Sequence, residues 1–351
     1  MSRKSYRQAI NEAIREEMRR DPRVILVGED VAGGAGGSGS NDAWGGPMAT
    51  SKGLIGEFGP QRVIDTPISE TAILGMAAGA ALTGLRPIVD LSFLDFFAVA
   101  FDQVLNQMAK FRYIFGGKSR TPLVVRAMYG AGYRAGAQHS QALYPILTHI
   151  PGLKVVLPSS PYDVKGLLIQ AIRDDDPVFF LEHKTFYDMK EEVPDESYTI
   201  PFGKANVRSE GKDVTIVALG KMVHVAGQAV ASLKKAGVEA TLIDPRTTSP
   251  LDEDAILKSV EATGRLVVVD EASPRCGLAG DIAAMVCERA FAALRAPIRR
   301  VTPPHTPVPF SPTLEDAYLP SAAKVEAAVH EVLDFGTASH SQEAKQVSSI
   351  Y

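Results

Sequence analysis

Short apolar runs alternate with helical patterns along almost the whole chain, and no other feature of the sequence constrains the fold so tightly. Val24–Val27, Pro87–Phe93, Leu123–Met128, Lys154–Leu157 and Val178–Leu181 have strand length and are mostly apolar at both parities. Strands of that kind need cover on both faces, which is the condition of a parallel sheet flanked by helices. Helical patterns fill the gaps. Between Ser5 and Arg20, the residues Ala9, Ile10, Ala13, Ile14 and Met18 recur on one helical face, and Ser5 is placed to cap the helix. Thr71–Leu82 is a helix of small residues suited to close packing, and Ala98–Arg112 and Tyr162–Arg173 are two more. Lys190–Glu210 is polar, carries Pro194 and Pro201, and shows no clear period. The alternation then restarts: strand Val214–Leu219, helix Val223–Ala236, strand Ala240–Ile243, helix Asp252–Thr263, strand Leu266–Val269, helix Ala279–Leu294, strand Ile298–Val301, helix Ala322–Leu333.

The expected fold class is α/β, with two domains of mostly parallel sheet flanked by helices. The first domain is expected over residues 1–189, a linker over 190–210, the second domain over 211–335, and a polar, disordered tail over 336–351. A length of 351 residues suits two domains at ~150 residues each. Ligands in such folds sit beyond the carboxyl ends of the strands.

Composition removes several partners. The chain has 37 Lys and Arg against 41 Asp and Glu, a formal charge of −4. That balance gives no electrostatic basis for nucleic acid or an anionic membrane as the main partner. Cys276 and Cys287 are too few for a disulfide scaffold, which points to a reducing, cytoplasmic setting. Without metal-ligand spacing they are expected to be buried, inert thiols. The charged segment Met1–Arg20 has no apolar run after it, so no signal peptide is expected, and stretches such as Ile73–Leu82 are too short to span a bilayer.

Four motifs carry candidate chemistry. Glu70 ends Asp65-Thr66-Pro67-Ile68-Ser69-Glu70 and opens the small-residue helix, where the dipole favours a carboxylate. Taken alone it reads as a helix-start charge. His139 lies in Gln138-His139-Ser140-Gln141 after the turn Gly130-Ala131-Gly132. It is either a proton carrier near neutral pH or a loop histidine bonded to backbone, and no Cys/His cluster accompanies it to suggest zinc. The glycine-rich stretch Ala32–Gly46 reads as a loop; Gly33–Gly37 within it leads into no helix, and GxxxxGK[ST] is absent, so phosphate binding there is discounted. Asp174-Asp175-Asp176 closes a helix, where acids oppose the dipole. That is either a solvated turn or a cation site built of carbonyls and a carboxylate.

Gly28-Glu29-Asp30, Asp65–Glu70, Gly84-Leu85-Arg86-Pro87, Phe96 with Asp102-Gln103, Ala137–Gln141, Pro151–Val156 and Ala171–Asp174 occur in one order. In these motifs, over about residues 5–335, the chain resembles the β subunit of the thiamine diphosphate-dependent decarboxylating component of 2-oxo acid dehydrogenase complexes, a transketolase-like family. The resemblance implies a pyrimidine-binding N-terminal domain and a transketolase C-terminal domain. It implies that Glu70 hydrogen-bonds the aminopyrimidine ring nitrogen of thiamine diphosphate and relays a proton there, that Phe96 packs on that ring, and that Glu29 also belongs to the cofactor-binding set. His139 matches a histidine at the active-site mouth that handles substrate or lipoyl. Leu123, Ala171, Ile172, Asp174 and Asp176 match the surroundings of a structural potassium ion, with mostly carbonyl ligands; Asp176 stands where the family often has Asn.

The family's Gly-Asp-Gly segment, which holds magnesium and diphosphate, is absent from this sequence. The resemblance therefore implies an α subunit partner carrying that half-site, an α2β2 heterotetramer, and a lipoyl acyltransferase core that takes the acyl group. Between Asp30 and Ser51 the chain is longer than pyruvate dehydrogenase β subunits and looks most like acetoin dehydrogenase β subunits. Pyruvate and acetoin are thus the expected substrates, with branched-chain 2-oxo acids as the alternative. A non-catalytic scaffold subunit is the alternative of another class, and Glu70 speaks against it. A single-chain Rossmann dehydrogenase fails for want of a strand–GxGxxG–helix unit.

Overall fold

A computed structural model of the chain describes residues 1–33 and 45–336. In chain order the strands are β1 (Ser2–Ser5), β2 (Val24–Gly28), β3 (Val63–Asp65), β4 (Arg86–Phe93), β5 (Val124–Tyr129), β6 (Lys154–Val156), β7 (Val178–His183), β8 (Lys190–Val193), β9 (Asn206–Ser209), β10 (Val214–Ala218), β11 (Ala240–Asp244), β12 (Thr247–Ser249), β13 (Leu266–Val269) and β14 (Arg299–Val301). The helices are α1 (Tyr6–Arg20), α2 (Leu54–Phe58), α3 (Glu70–Leu82), α4 (Phe111–Ile114), α5 (Tyr144–Thr148), α6 (Pro161–Arg173), α7 (Met222–Lys235), α8 (Glu253–Thr263), α9 (Leu278–Ala290), α10 (Pro312–Tyr318) and α11 (Ala322–Leu333).

The backbone divides into two compact units. The first takes Met1–Lys204 with Arg246–Leu251 and Val308–Glu315. Its seven-stranded sheet has the order β12-β6-β7-β5-β4-β2-β3. Neighbours are parallel except for β12 on β6. From β2 the chain runs outward to β3 and then returns to place β4 on the other side, so the strand order reverses between β2 and β4. A reversal of that kind opens a crevice beyond the carboxyl ends of the two strands, where doubly wound folds bind their ligands. Gly28 lets β2 and β4 come together there: a Cβ on it would lie 2.5 Å from the Asp90 carbonyl oxygen.

Helix α1 forms for the reasons its sequence suggests. Ser5 Oγ accepts from the Gln8 amide, and Gln8 Oε1 accepts from the Ser5 amide at 2.8 Å, a closed capping box. Its apolar stripe packs with that of α6 into a core including Tyr6, Ile10, Ile14, Leu26, Ile88, Val164, Leu168 and Phe180, all buried. The Arg173 guanidinium ties the end of α6 to Glu17 of α1 at 2.6 Å.

The second unit takes Ala205–Pro245, Asp252–Pro307 and the chain from Asp316. Its five-stranded sheet has the order β14-β13-β10-β11-β9, parallel except for β9 on β11. Helices α7 and α11 contribute Ala226, Leu233, Val325 and Val329 to its core against Ile216 and Val267.

Several expectations need correction. The helix expected over 98–112 is three pieces: a 3₁₀ stretch Leu94–Ala100, a π-helical turn Gln103–Met108, and α4. Phe97, Ala100, Val104 and Met108 are buried as a helical stripe would be, so apolar spacing alone could not reveal the change in hydrogen bonding. Asp102 accepts from Asn106 and Gln107, side-chain bonds that brace the wider turn. Within the expected linker, residues 190–193 form β8, which pairs with β1, and 206–209 form β9, whose partner is β11. Both cysteines are exposed, not buried. Cys287 rides the face of α9 opposite Ile282 and Val286, and Cys276 sits in the turn before that helix with φ +52°. Residues 34–44, which include most of the glycine-rich loop, and the expected tail from 337 lie outside the described residues. Among the described residues, no helix is long and apolar enough to cross a membrane.

Candidate active site

The motif residues of the first unit gather at the carboxyl edge of its sheet. Glu29 and Asp30 follow β2, Glu70 follows β3 and opens α3, Phe96 follows β4, His139 follows β5, and Lys184 follows β7. The loops are pinned to one another. The Asp65 carboxylate accepts from the Ala32 amide at 2.6 Å, and the Thr66 amide donates to the Gly28 carbonyl at 3.0 Å. Thr71 Oγ1 donates to the Val99 carbonyl, tying the first turn of α3 to the 3₁₀ stretch.

Three rings form one cluster. The His139 imidazole meets Phe93 at 4.9 Å and Phe96 at 5.3 Å, both edge-on, and the two phenyl rings lie 5.8 Å apart. The register slips between Asp90 and Phe93, and Ser92 takes φ +61°; together these bend the end of β4 and set where Phe93 points. The bend is held electrostatically. Asp90 accepts from the Ser92 amide at 3.0 Å and pairs with Arg126 at 3.3 Å. Arg126 is buried and grips Glu182 through two bonds of 2.7 and 2.9 Å, while the Tyr187 hydroxyl donates to the same carboxylate. Burial pushes the Glu182 carboxyl up against the pull of Arg126. Breaking a buried pair of this kind by deleting one member typically costs ~3–5 kcal/mol.

Beyond this network lies an acidic surplus. Burial raises Glu29, and the charges of Asp30, Glu70 and Asp90 push it further. Among the described residues, neither the Glu29 nor the Glu70 side chain has a hydrogen bond or ion pair. The segments that carry Glu70 and Phe96 also hold two buried polar atoms without a hydrogen bond among the described residues, Thr66 Oγ1 and Asp95 Oδ2. Such atoms are costly unless something supplies donors. The arrangement suits a planar, nitrogen-rich ring: an aromatic face at Phe96, and carboxyl groups without hydrogen-bond partners at Glu29 and Glu70.

The expected cation turn is assembled differently. Arg86 of the Gly84-Leu85-Arg86-Pro87 motif donates to the Ile172 carbonyl at 2.8 Å and also to the Asp174 carbonyl. The Ala171 carbonyl accepts from the Asp174 amide, and the Leu123 carbonyl from the Val178 amide. Lys154 pairs with the Asp174 and Asp176 carboxylates, Arg112 with Asp176, and Arg120 with Asp175. Four cationic side chains thus answer the three acids, and two of the carbonyls assigned to potassium carry a guanidinium. Among the described residues, no group of three or more His, Cys, Asp or Glu is arranged to hold a metal ion.

Sequence reasoning missed Asp95, Arg126, Glu182 and Lys184. Two signals were available. Charged residues inside apolar strands, as Arg126 and Glu182 are, demand a partner across the sheet. Asp95 immediately precedes Phe96.

Residues 2–190 match the family model described as the transketolase pyrimidine binding domain, and residues 203–325 the transketolase C-terminal domain. The chain is 61% identical over 337 residues to the acetoin:2,6-dichlorophenolindophenol oxidoreductase subunit beta of Cupriavidus necator, covering 96% of this chain and 99% of that one. It is 44% identical over 329 residues to the pyruvate dehydrogenase E1 component subunit beta of Bacillus subtilis, covering 93% and 98%. In fold it is similar to a solved split-gene transketolase, an inactive beta4 tetramer, with TM-score 0.74 at 24% identity over 94% of this chain and 98% of that one. The chain belongs to the transketolase-like β subunits of the thiamine diphosphate-dependent acetoin and 2-oxo acid dehydrogenases. It is the β subunit of an acetoin or pyruvate dehydrogenase E1-type oxidoreductase, and a β subunit of this kind has an α subunit as partner.

Proposed function

We propose that this chain supplies the pyrimidine half of a thiamine diphosphate site in an acetoin-cleaving dehydrogenase. The α subunit contributes magnesium and the diphosphate half within an α2β2 assembly, and a lipoyl acyltransferase takes the acyl group. The observation that carries the reading is Glu70: a carboxylate at the start of α3, short of partners and close enough to Glu29 to repel it, on the sheet edge that also bears Phe96. Bound thiamine diphosphate supplies a nucleophilic carbon and an electron sink for cleavage next to a carbonyl. The residues of this chain do the rest. Glu70 passes a proton between its carboxyl oxygen and the pyrimidine ring nitrogen, and Glu29 lies beside it as a second carboxyl group. Phe96 covers the ring and excludes water. His139 gives or takes a proton at the substrate or lipoyl side, a role open to an imidazole. Acetoin is favoured over pyruvate by the identity of 61% against 44% and by the longer segment between Asp30 and Ser51.

Glu70→Gln tests the reading, because it keeps size and removes the titrating oxygen. In the reconstituted αβ enzyme it leaves assembly intact and slows proton–deuterium exchange at the thiazolium carbon by at least ~10²-fold. Exchange at the wild-type rate would return Glu70 to a helix-start charge.

A potassium ion at the α6 turn, with ligands from Leu123, Ala171, Ile172, Asp174 and Asp176, belongs to the same proposal. What supports it is that the Ala171 and Ile172 carbonyls and Asp174 lie at the negative end of the α6 dipole.

A further inference from the structure

The loop that carries His139 rests on a buried lysine. Lys184 begins the 3₁₀ turn after β7 and is 2% exposed. Its Nζ donates to the His139 carbonyl and lies 3.5 Å from Ser140 Oγ. The same ammonium sits 5.4 Å from the centroid of the Phe93 ring, which in turn meets the imidazole edge-on. Two residues on, Gln141 is gripped by Asp95, whose Oδ1 accepts from the Gln141 amide at 3.2 Å and from its Nε2 at 2.8 Å. Upstream, the buried Glu315 accepts from the Gly132 amide at 2.8 Å and from the Arg134 guanidinium at 2.5 Å.

A buried ammonium cannot stay without acceptors, so the carbonyl it takes is held firmly. A lysine at the surface would not impose this. We infer that Lys184 is the positioning residue for His139: it fixes the backbone of residues 139–140 and, through Phe93, the setting of the imidazole ring. The inference rests on the reading of His139 as acting on substrate.

The test uses enzyme reconstituted with its α subunit, acetoin as substrate and 2,6-dichlorophenolindophenol as acceptor. Lys184→Met lowers kcat roughly 10-fold, within the range for small misplacements of catalytic groups, and leaves KM within about a factor of two. Lys184→Arg restores most of the rate. In a His139→Ala background, Lys184→Met has no further effect, as expected for residues that act as a unit. If His139→Ala is impaired while Lys184→Met keeps the wild-type kcat, the inference is overturned and the reading of His139 stands. A rise in KM at constant kcat overturns it as well, since that is a binding role. Full activity of His139→Ala overturns the reading beneath it. Should Lys184→Met fail to assemble, Lys184→Gln takes its place: its shorter side chain does not reach the His139 carbonyl, and a wild-type kcat in that variant overturns the inference.

Discussion

Glu29 shows at the scale of one residue how the site works against stability. Burial raises its carboxyl, and the charges of Asp30, Glu70 and Asp90 add to the shift. Raising the folded-state pKa above the unfolded value means the folded chain binds the proton more tightly. Folding then gains from Glu29 below the unfolded value of about 4.5, and loses that gain as pH rises through the folded value. At neutral pH the group is a net cost. Glu29→Gln is therefore expected to raise the Tm at pH 7 and to flatten the fall in stability across the weakly acidic range, while turnover of the reconstituted enzyme drops. Thermal melts of wild type and variant from pH 4 to 8 check the sign; a lower Tm for the variant at pH 7 would contradict it. The exposed cysteines teach a related point. Composition gives the average burial of a thiol, but helix phase decides, and Cys287 falls on the outer face of α9.

The end of α6 is the element at which charge and backbone meet most closely. Its last carbonyls converge where the helix dipole is negative, and Asp174, Asp175 and Asp176 add to that charge. Arg86, Lys154, Arg112 and Arg120 close on the turn from β4, β6 and the segment around α4. If potassium shares the turn, replacing it with tetramethylammonium at constant ionic strength removes ion–carbonyl contacts and lowers the Tm by a few degrees, roughly 1 kcal/mol for a chain of this size. Equal melting temperatures in the two salts leave the turn to Arg86 and Lys154 alone. The π-helical turn Gln103–Met108 is the other element that matters, because π turns recur at functional sites and this one packs Gln103 against Gly75 of α3.

For the whole molecule, the proposed function calls for a site completed by a second chain. The chain presents the carboxyl edge with Glu70 and Phe96 but has no Gly-Asp-Gly segment anywhere. The first unit also exposes large apolar side chains on successive segments, among them Ile68, Val99, Tyr113 and Ile114. Exposed apolar groups in number mark surfaces that meet other chains. The purified chain with thiamine diphosphate and magnesium is expected to show no acetoin oxidation, and addition of the α subunit to restore it in a complex of two copies of each. Mass measurement of the active species together with dye reduction checks both halves. Activity from the chain by itself would remove the proposal of a shared site.

Much of this was legible in the sequence because it depends on near neighbours. Strand and helix alternation, the Ser5–Gln8 cap of α1, the burial of Ala9, Ile10, Ala13, Ile14 and Met18, and helix α11 at Ala322–Leu333 all follow from local period and capping chemistry. The family was legible as well, through motifs that include Glu70, Phe96 and His139. Pairing across long stretches of chain was decided only in three dimensions. Residues 190–193 join β1, which lies at the opposite end of the first unit's main segment, and nothing in that polar segment names its partner. Arg86 reaches the end of α6, Arg126 finds Glu182 on the neighbouring strand, and Lys184 finds the carbonyl of His139. Burial and electrostatic pairing act through space, so a charged residue in the sequence announces that it needs a partner, while only the folded chain determines which one it meets.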